Sequence, residues 1–162
     1  MDNKKFVLFD EPFTPNYRNG VLFPRKINDT YRILLRPCDA GNSNFGDIYI
    51  GQSKDLTFWG KNRFLLGAGF SGWNYVKIGG GPAPIEIEEG WLIFIHGVLS
   101  TCSGWIYSMG AIIVDRDDPT KILYKCSDAL LMPQEDYELS GFTPNVIFPT
   151  SVLTDSKTGR MA

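Results

Sequence analysis

The chain of 162 residues is 43% hydrophobic and 14% aromatic, which suits one domain with a sizeable core. Its net charge of −2 excludes the strongly basic balance of a nucleic-acid or anionic-membrane binder, and no apolar run approaches the roughly 20 residues that span a bilayer. Seventeen glycines and ten prolines in such a composition favour many short strands joined by tight turns.

The start, Met1-Asp2-Asn3-Lys4-Lys5, has no apolar segment behind it and does not read as a signal peptide. Residues 1–20 read as a linker or loop ending at Arg18-Asn19-Gly20. Val21 to Pro24 and Thr30 to Leu35 read as two strands around the turn Asn28-Asp29. Arg36-Pro37 ends the second strand and opens a loop through Asp39-Ala40-Gly41. Asp47 to Gln52 alternates as a strand does, and Ser53-Lys54-Asp55 turns into Phe58-Trp59 and Arg63 to Leu66. Further strands are expected at Trp73 to Ile78, Ile85 to Ile87, Trp91 to His96, Trp105 to Val114 and Ile122 to Cys126. Asp115-Arg116-Asp117-Asp118-Pro119 reads as a solvated hairpin loop, not a metal site. Ala129 to Pro133 and Asn145 to Pro149 open a last, incomplete unit, and Ser151 to Ala162 reads as a hairpin that stops as it begins. No stretch keeps helical apolar spacing for three turns. The reading is all-β: groups of about four antiparallel strands, as in propeller blades, with a sandwich giving similar signals. Cys38, Cys102 and Cys126 are odd in number and not in metal spacing. They read as free thiols in a reducing compartment, hence a cytoplasmic protein.

The stretch Lys77-Ile78-Gly79-Gly80-Gly81-Pro82-Ala83-Pro84-Ile85, with Trp91 to Gly97 after it, concentrates unusual residues. It holds the single His of the chain, at the end of an apolar strand, and a Lys set before three glycines. Glycines let a backbone turn or approach a ligand closely. The unit could bring a cation and an imidazole to one rim. On residue types alone it is equally a Gly-Pro turn, a core strand and an ordinary polar His.

Motifs then resemble a family. Asn19-Gly20-Val21-Leu22-Phe23-Pro24-Arg25-Lys26-Ile27, Leu35-Arg36-Pro37 and Phe45-Gly46-Asp47-Ile48 are similar to glycoside hydrolase family 130. So are the Lys77–Ile85 stretch, Gly90-Trp91-Leu92, His96-Gly97-Val98, Tyr137-Glu138, Gly141 and Pro144-Asn145-Val146-Ile147-Phe148-Pro149. These run in the family's order over nearly the whole chain. Within the family, Arg18-Asn19-Gly20 and Asp39-Ala40-Gly41 are most similar to members acting on mannosyl-glucose. The resemblance implies a partial five-bladed β-propeller. Residues 1–162 would be the C-terminal portion of a single catalytic domain, about three blades, truncated at both ends. Two open sheet edges would favour self-association.

The resemblance also implies an inverting phosphorolysis of a β-mannoside, such as mannosyl-glucose, by inorganic phosphate to α-D-mannose 1-phosphate. No metal or organic cofactor is implied, and the partners are a β-mannoside and phosphate, without nucleic acid or membrane. Phosphate would be held by the residues matching the family's set: Arg18, Arg36, Lys77, His96 and Tyr107. Planar guanidinium forks and a point-charge ammonium suit that anion. Asp47, Glu138 and Asn145 sit in family motifs and could line a sugar site or serve turns and caps. For the others, Arg18 could be a loop cation, Arg36 a partner of Asp39 or Asp47, and Tyr107 a core aromatic. The family's acid aspartate would lie before Met1, so residues 1–162 alone are expected to be inactive. A hydrolase of the same fold and a non-catalytic sugar-binding module are the rival readings.

Overall fold

A computed structural model describes residues 16–38, 46–155, 158–159 and 161. The short strand-forming runs fold as two antiparallel sheets. In the first, β1 (Tyr17–Leu22), β2 (Tyr31–Pro37), β3 (Ile48–Ser53) and β4 (Gly60–Leu66) follow one another as a meander. The β1–β2 turn lies where the sequence predicts it. Asn28 and Asp29 both take positive φ, 49° and 58°, as a primed hairpin turn requires, and Ile27 and Thr30 exchange backbone hydrogen bonds across it.

In the second sheet, β5 (Lys77–Gly80), β7 (Gly90–Thr101), β8 (Gly104–Val114) and β9 (Ile122–Lys125) lie side by side, and β6 (Ile85–Ile87) pairs the other end of β7. Thus β5 and β6 share one edge of β7, and Pro82 and Pro84, which cannot donate to a ladder, occupy the jog between them. The β7–β8 hairpin is paired without a break from Trp91↔Val114 to Thr101↔Gly104. Its apolar alternation buries Trp91, Ile93, Ile95, Ile112 and Val114, and Leu34 and Ile78 join them in one core. A 3-10 turn, Gly72–Asn74, drives Trp73 into that core. A Cβ at Gly97 or Gly110 would each stand 2.4 Å from the indole, so those positions leave the space it fills.

Several sequence expectations need correction. Arg18-Asn19-Gly20 is not loop but part of β1, because its backbone pairs with β2 at Arg18↔Arg36. Residues 1–15 and the Asp39-Ala40-Gly41 loop lie outside the described residues. Trp73 to Ile78 is a 3-10 turn followed by a strand that runs into the glycines. Gly79 and Gly80 therefore form strand, not turn. None of Gly79, Gly80 or Gly81 has positive φ, and a Cβ at each would meet His96, Val21 or Pro149 within 2.5–2.8 Å. His96 lies inside β7 rather than at its end, since Gly97 is there for Trp73 and the ladder continues past it. One helical turn, α1 (Asp136–Leu139), is present.

The expected third unit is not a sheet among the described residues. Residues 129–149 carry Pro133, Pro144 and Pro149 and make bridges instead, and these cover the outer edge of β8 beyond β9. Met109 N–H donates to the Leu131 carbonyl at 2.9 Å, Tyr107 N–H to the Asn145 carbonyl at 2.9 Å, and Ile147 N–H to the Tyr107 carbonyl at 3.0 Å. The Asp115 carboxylate accepts from the N–H groups of Asp117 and Asp118, so that acidic loop caps itself as a hairpin. Gly159 at φ 68° and the Thr154↔Met161 bridge fit the predicted terminal hairpin. The two sheets are tied where Ile78 N–H donates to the Gly46 carbonyl at 3.0 Å. No described helix is long and apolar enough to cross a membrane.

Candidate functional site

Residues opposite one another in an antiparallel ladder stand on the same face. Lys77 opposes Val98, which opposes Tyr107, and His96 lies two residues before Val98. Lys77, His96 and Tyr107 therefore share one face of the second sheet. In the first sheet Arg18 stands opposite Arg36. The Gly46–Lys77 bridge joins the two sheets beside them, and it brings Arg36 Nη1 to 3.4 Å from His96 Nε2.

The two residues that meet there are both withdrawn from solvent. Arg36 is 7% exposed and His96 1%. Gly46 makes this close approach fit, since a Cβ there would stand 2.6 Å from Arg36 Cδ. The His96 ring lies 4.5 Å from the Phe148 ring and stacks with Tyr107 at 6.2 Å. Its Nδ1 is 3.2 Å from the Gly80 carbonyl oxygen. Burial, with the Arg36 and Lys77 cations nearby, pushes the imidazole down to about 4, only partly opposed by the Gly80 hydrogen bond. It is neutral at pH 7. Lys77 Nζ sits 4.4 Å over the Trp105 ring and 5.4 Å from that of Tyr107, an aromatic seat worth about 0.5–2 kcal/mol to an ammonium.

Charge balance is the unusual property. The ion pairs among the described residues are Arg25–Glu86, Arg116–Glu86 and Lys121–Asp118. None involves Arg36 or Lys77. A buried guanidinium without a carboxylate is costly unless an anion joins it. Arg36 Nε is buried without a hydrogen-bond partner, and so is Asn19 Oδ1. A Cβ at Gly79 would stand 2.9 Å from His96 Nε2 and 3.0 Å from Asn19 Oδ1, so that oxygen borders the same space. Asn19 is a site residue that sequence reasoning missed. The signal was an Asn before a Gly, which here takes φ 52° in β1.

From Lys77 a cleft of about 440 Å³ opens between Trp105, Tyr107, Phe142 and Asn145. No carboxylate lines it. The geometry thus brings Arg36, Lys77, His96 and Tyr107 together, with Arg18 across the strand and exposed. Of the three proposed sugar residues, Asn145 lines the cleft. Asp47 instead accepts from Ala68 N–H at 2.9 Å, a contact that ties the start of β3 to the chain just after β4. Glu138 accepts from the N–H groups of Gln134 and Glu135, bonds that hold its carboxyl below the usual range. No group of three His, Cys, Asp or Glu that could hold a metal occurs among the described residues.

Comparisons with known proteins match this chain along almost all of its length. A family model described as beta-1,4-mannooligosaccharide phosphorylase covers residues 2–161. The beta-1,4-mannooligosaccharide phosphorylase of Ruminococcus albus is 49% identical over 161 residues, 99% of this chain and 48% of that protein. The 4-O-beta-D-mannosyl-D-glucose phosphorylase of Bacteroides fragilis is 28% identical over 142 residues, 85% of this chain and 36% of that protein. Identity is therefore higher to the mannooligosaccharide enzyme than to the mannosyl-glucose enzyme, the reverse of the order the loop motifs suggested. A solved structure of beta-1,2-mannobiose phosphorylase from Listeria innocua, complexed with beta-1,2-mannobiose, matches at TM-score 0.82 and 37% identity, over 93% of this chain and 41% of its own. The chain spans about half the length of the relatives it matches.

Proposed function

Since this chain belongs to glycoside hydrolase family 130, we propose that the protein carrying it is an inverting phosphorylase of β-1,4-mannosides and that residues 1–162 supply its phosphate site. The observation that carries this reading is Arg36, a guanidinium 7% exposed that no described carboxylate pairs. A hydrolase would need a carboxylate base at that place, where the described residues offer cations.

In this reaction a phosphate oxygen attacks the anomeric carbon from the α face while the glycosidic carbon–oxygen bond breaks. An acid protonates the departing oxygen, leaving α-D-mannose 1-phosphate and a shortened sugar, mannose or glucose at the leaving end. Phosphate takes the place that activated water holds in inverting hydrolysis. Arg36 and Arg18 offer forked donors, Lys77 a seated point charge and Tyr107 a hydroxyl. Together with His96 they hold the nucleophile in line and offset its repulsion from the acid. On this reading the two sheets are blades of a five-bladed propeller, and residues 129–149 begin the next. The acid comes from the part of the relatives' length that this chain does not span, so residues 1–162 alone bind phosphate without turnover.

The test is phosphate binding to the 162-residue chain, followed by thermal shift and phosphorus NMR. Charge-assisted hydrogen bonds contribute about 1.5–3 kcal/mol each. Lys77→Ala should therefore weaken binding roughly 10- to 150-fold, and Arg36→Lys should weaken it too, because an ammonium lacks the fork. In a full-length protein carrying this chain, mannose 1-phosphate should appear from β-1,4-mannobiose or mannosyl-glucose only with phosphate present. Unchanged phosphate dependence in Lys77→Ala and Arg36→Lys would overturn the assignment.

A further inference from the structure

We infer that the seam between the two sheets carries a second site at the end remote from Arg36, a pocket for a sugar phosphate formed by Arg32, Lys61 and Arg63 with Gln52, Asp118 and Thr120. The inference does not rest on the phosphate reading above and uses none of its residues.

Alternate residues of a strand share a face. Arg32 therefore lies on the face of β2 that sends Leu34 into the core and Arg36 to the candidate site. Four residues at about 3.3 Å each separate the two arginines by roughly 13 Å along the strand. Gln52 stands opposite Arg32, and Ile50 opposite Arg63, which carries the same face across β3 to β4. Asp118 and Thr120, from the β8–β9 turn of the second sheet, close the far side. A cavity of about 230 Å³ lies between these residues.

The backbone of β4 is distorted at this place. From Gly60 to Arg63 it takes three steps where the facing stretch from Gln52 to Ile50 takes two, so Lys61 and Asn62 bulge opposite Gly51. A Cβ at Gly51 would stand 2.6 Å from Asn62 Oδ1, so that glycine leaves room for the bulge. Lys61 takes φ 49° there, a conformation for which glycine is the usual choice. The fold would be served better by glycine. What lysine adds is a cation on the pocket side, next to Arg63. Bulges beside sites commonly re-aim a side chain in this way.

The charges are unbalanced as well. The ion pairs among the described residues leave Arg32, Lys61 and Arg63 without a carboxylate. Arg32 Nε is buried and has no hydrogen-bond partner. Burial disfavours the charge on Arg32, Asp118 favours it, and Arg63 opposes it again. Asp118 is already engaged, accepting from the Thr120 hydroxyl at 2.6 Å and pairing with Lys121 at 3.7 Å. Three cations thus face one committed carboxylate. A phosphate dianion neutralises that surplus, and the Arg32 fork offers it a planar pair of donors. The cavity has room for roughly seven waters at about 30 Å³ each, more than a phosphate group fills. The Gln52 amide and the remaining lone pairs of Asp118 and Thr120 supply partners for hydroxyl groups in the rest.

The test is titration of D-glucose 6-phosphate into the Lys77→Ala chain, in which the first site is weakened. Nitrogen NMR follows the Arg32 Nε–H signal, identified by its loss in Arg32→Lys, and calorimetry gives the affinity. A saturable shift of that signal is expected. Arg32→Lys and Arg63→Gln should each weaken binding roughly tenfold or more. Lys61→Gly separates binding from folding: it suits the bulge, so the melting temperature without ligand should not fall, yet affinity should drop about tenfold. Inorganic phosphate and glucose should each bind this pocket at least tenfold more weakly than the ester. Equal affinity for inorganic phosphate would overturn the sugar-phosphate assignment. An Arg32 signal unmoved by millimolar ester in the folded chain, or Lys61→Gly binding as tightly as its parent, would overturn the site itself and leave the Lys77 site untouched.

Discussion

Acidification from pH 7.5 to 5 should destabilise this protein mainly through His96, before the carboxylates contribute much. The folded-state value of His96 is about 4, against 6.5 for an unperturbed histidine. Because the folded value is lowered, the stabilising difference is fully present above about pH 6.5 and is lost as pH falls from there toward 4. In that window the unfolded chain binds a proton that the folded chain refuses. Each tenfold difference in proton affinity between the two states corresponds to about 1.36 kcal/mol, so stability at pH 5 should lie about 2 kcal/mol below that at pH 7.5. Asp55, Asp115, Asp118, Glu86 and Glu138 all titrate lower than usual in the fold because of their hydrogen-bonding partners. Their loss begins below about pH 5.5 and falls mainly below about pH 4.5, where unfolded carboxylates are half protonated or more. The two windows are separable. Urea unfolding at pH 7.5, 6 and 5 is the assay, and a slope of about 2 kcal/mol per molar makes the expected drop in midpoint about 1 M. His96→Gln should flatten the dependence over the same range. A midpoint unchanged between pH 7.5 and 5 in the parent would refute the neutral buried imidazole.

Other substitutions probe the packing around the same ring and its surroundings. Gly79→Ala places a Cβ 2.5 Å from His96 Cε1, and Phe148 and Tyr107 lie against that ring. It should lower stability by about 1–3 kcal/mol in urea unfolding and weaken phosphate binding. Trp105→Leu removes the aromatic seat of Lys77 and should raise the phosphate dissociation constant roughly 2- to 30-fold, with the melting temperature checking that the fold persists. Asp29→Gly suits a position at φ 58° and should stabilise by about 0.5–1 kcal/mol in the same unfolding assay.

The strands and hairpins were legible because their signals are local. Asn28-Asp29 sits between two β-forming runs, and Trp91 to Ile95 and Trp105 to Val114 keep their apolar character on either side of a short turn. What the sequence did not disclose depends on residues that meet from afar. Gly79 and Gly97 look like punctuation when read along the chain. In space they are clearances for His96 and Trp73, so strand continues through both. Arg18 reads as loop because only its partner Arg36, in the next strand, reveals β1. The candidate site itself was named from the family's motifs, whereas its lack of a counter-ion among the described residues and the orphaned Asn19 oxygen are three-dimensional facts. Asp47 and Glu138 look alike as site acids in sequence, and only their backbone partners separate them from Asn145.

The segment covering the edge of β8 gives the molecule an order of assembly. The β7–β8 hairpin closes over the short Cys102-Ser103 turn, so its ladder needs little loop entropy to form. The aromatic lid on His96 and the clamp on the Tyr107 backbone come instead from Asn145 to Phe148, far along the chain and reached through the exposed stretch 140–144. Few buried contacts hold that stretch, which makes it a natural unit of local opening. The cationic pocket is therefore completed after the sheet that bears it. A protease cut between Ser140 and Thr143 would let the lid leave while the β7–β8 ladder remains, so loss of the proposed anion site and loss of the fold would be separate events in this protein.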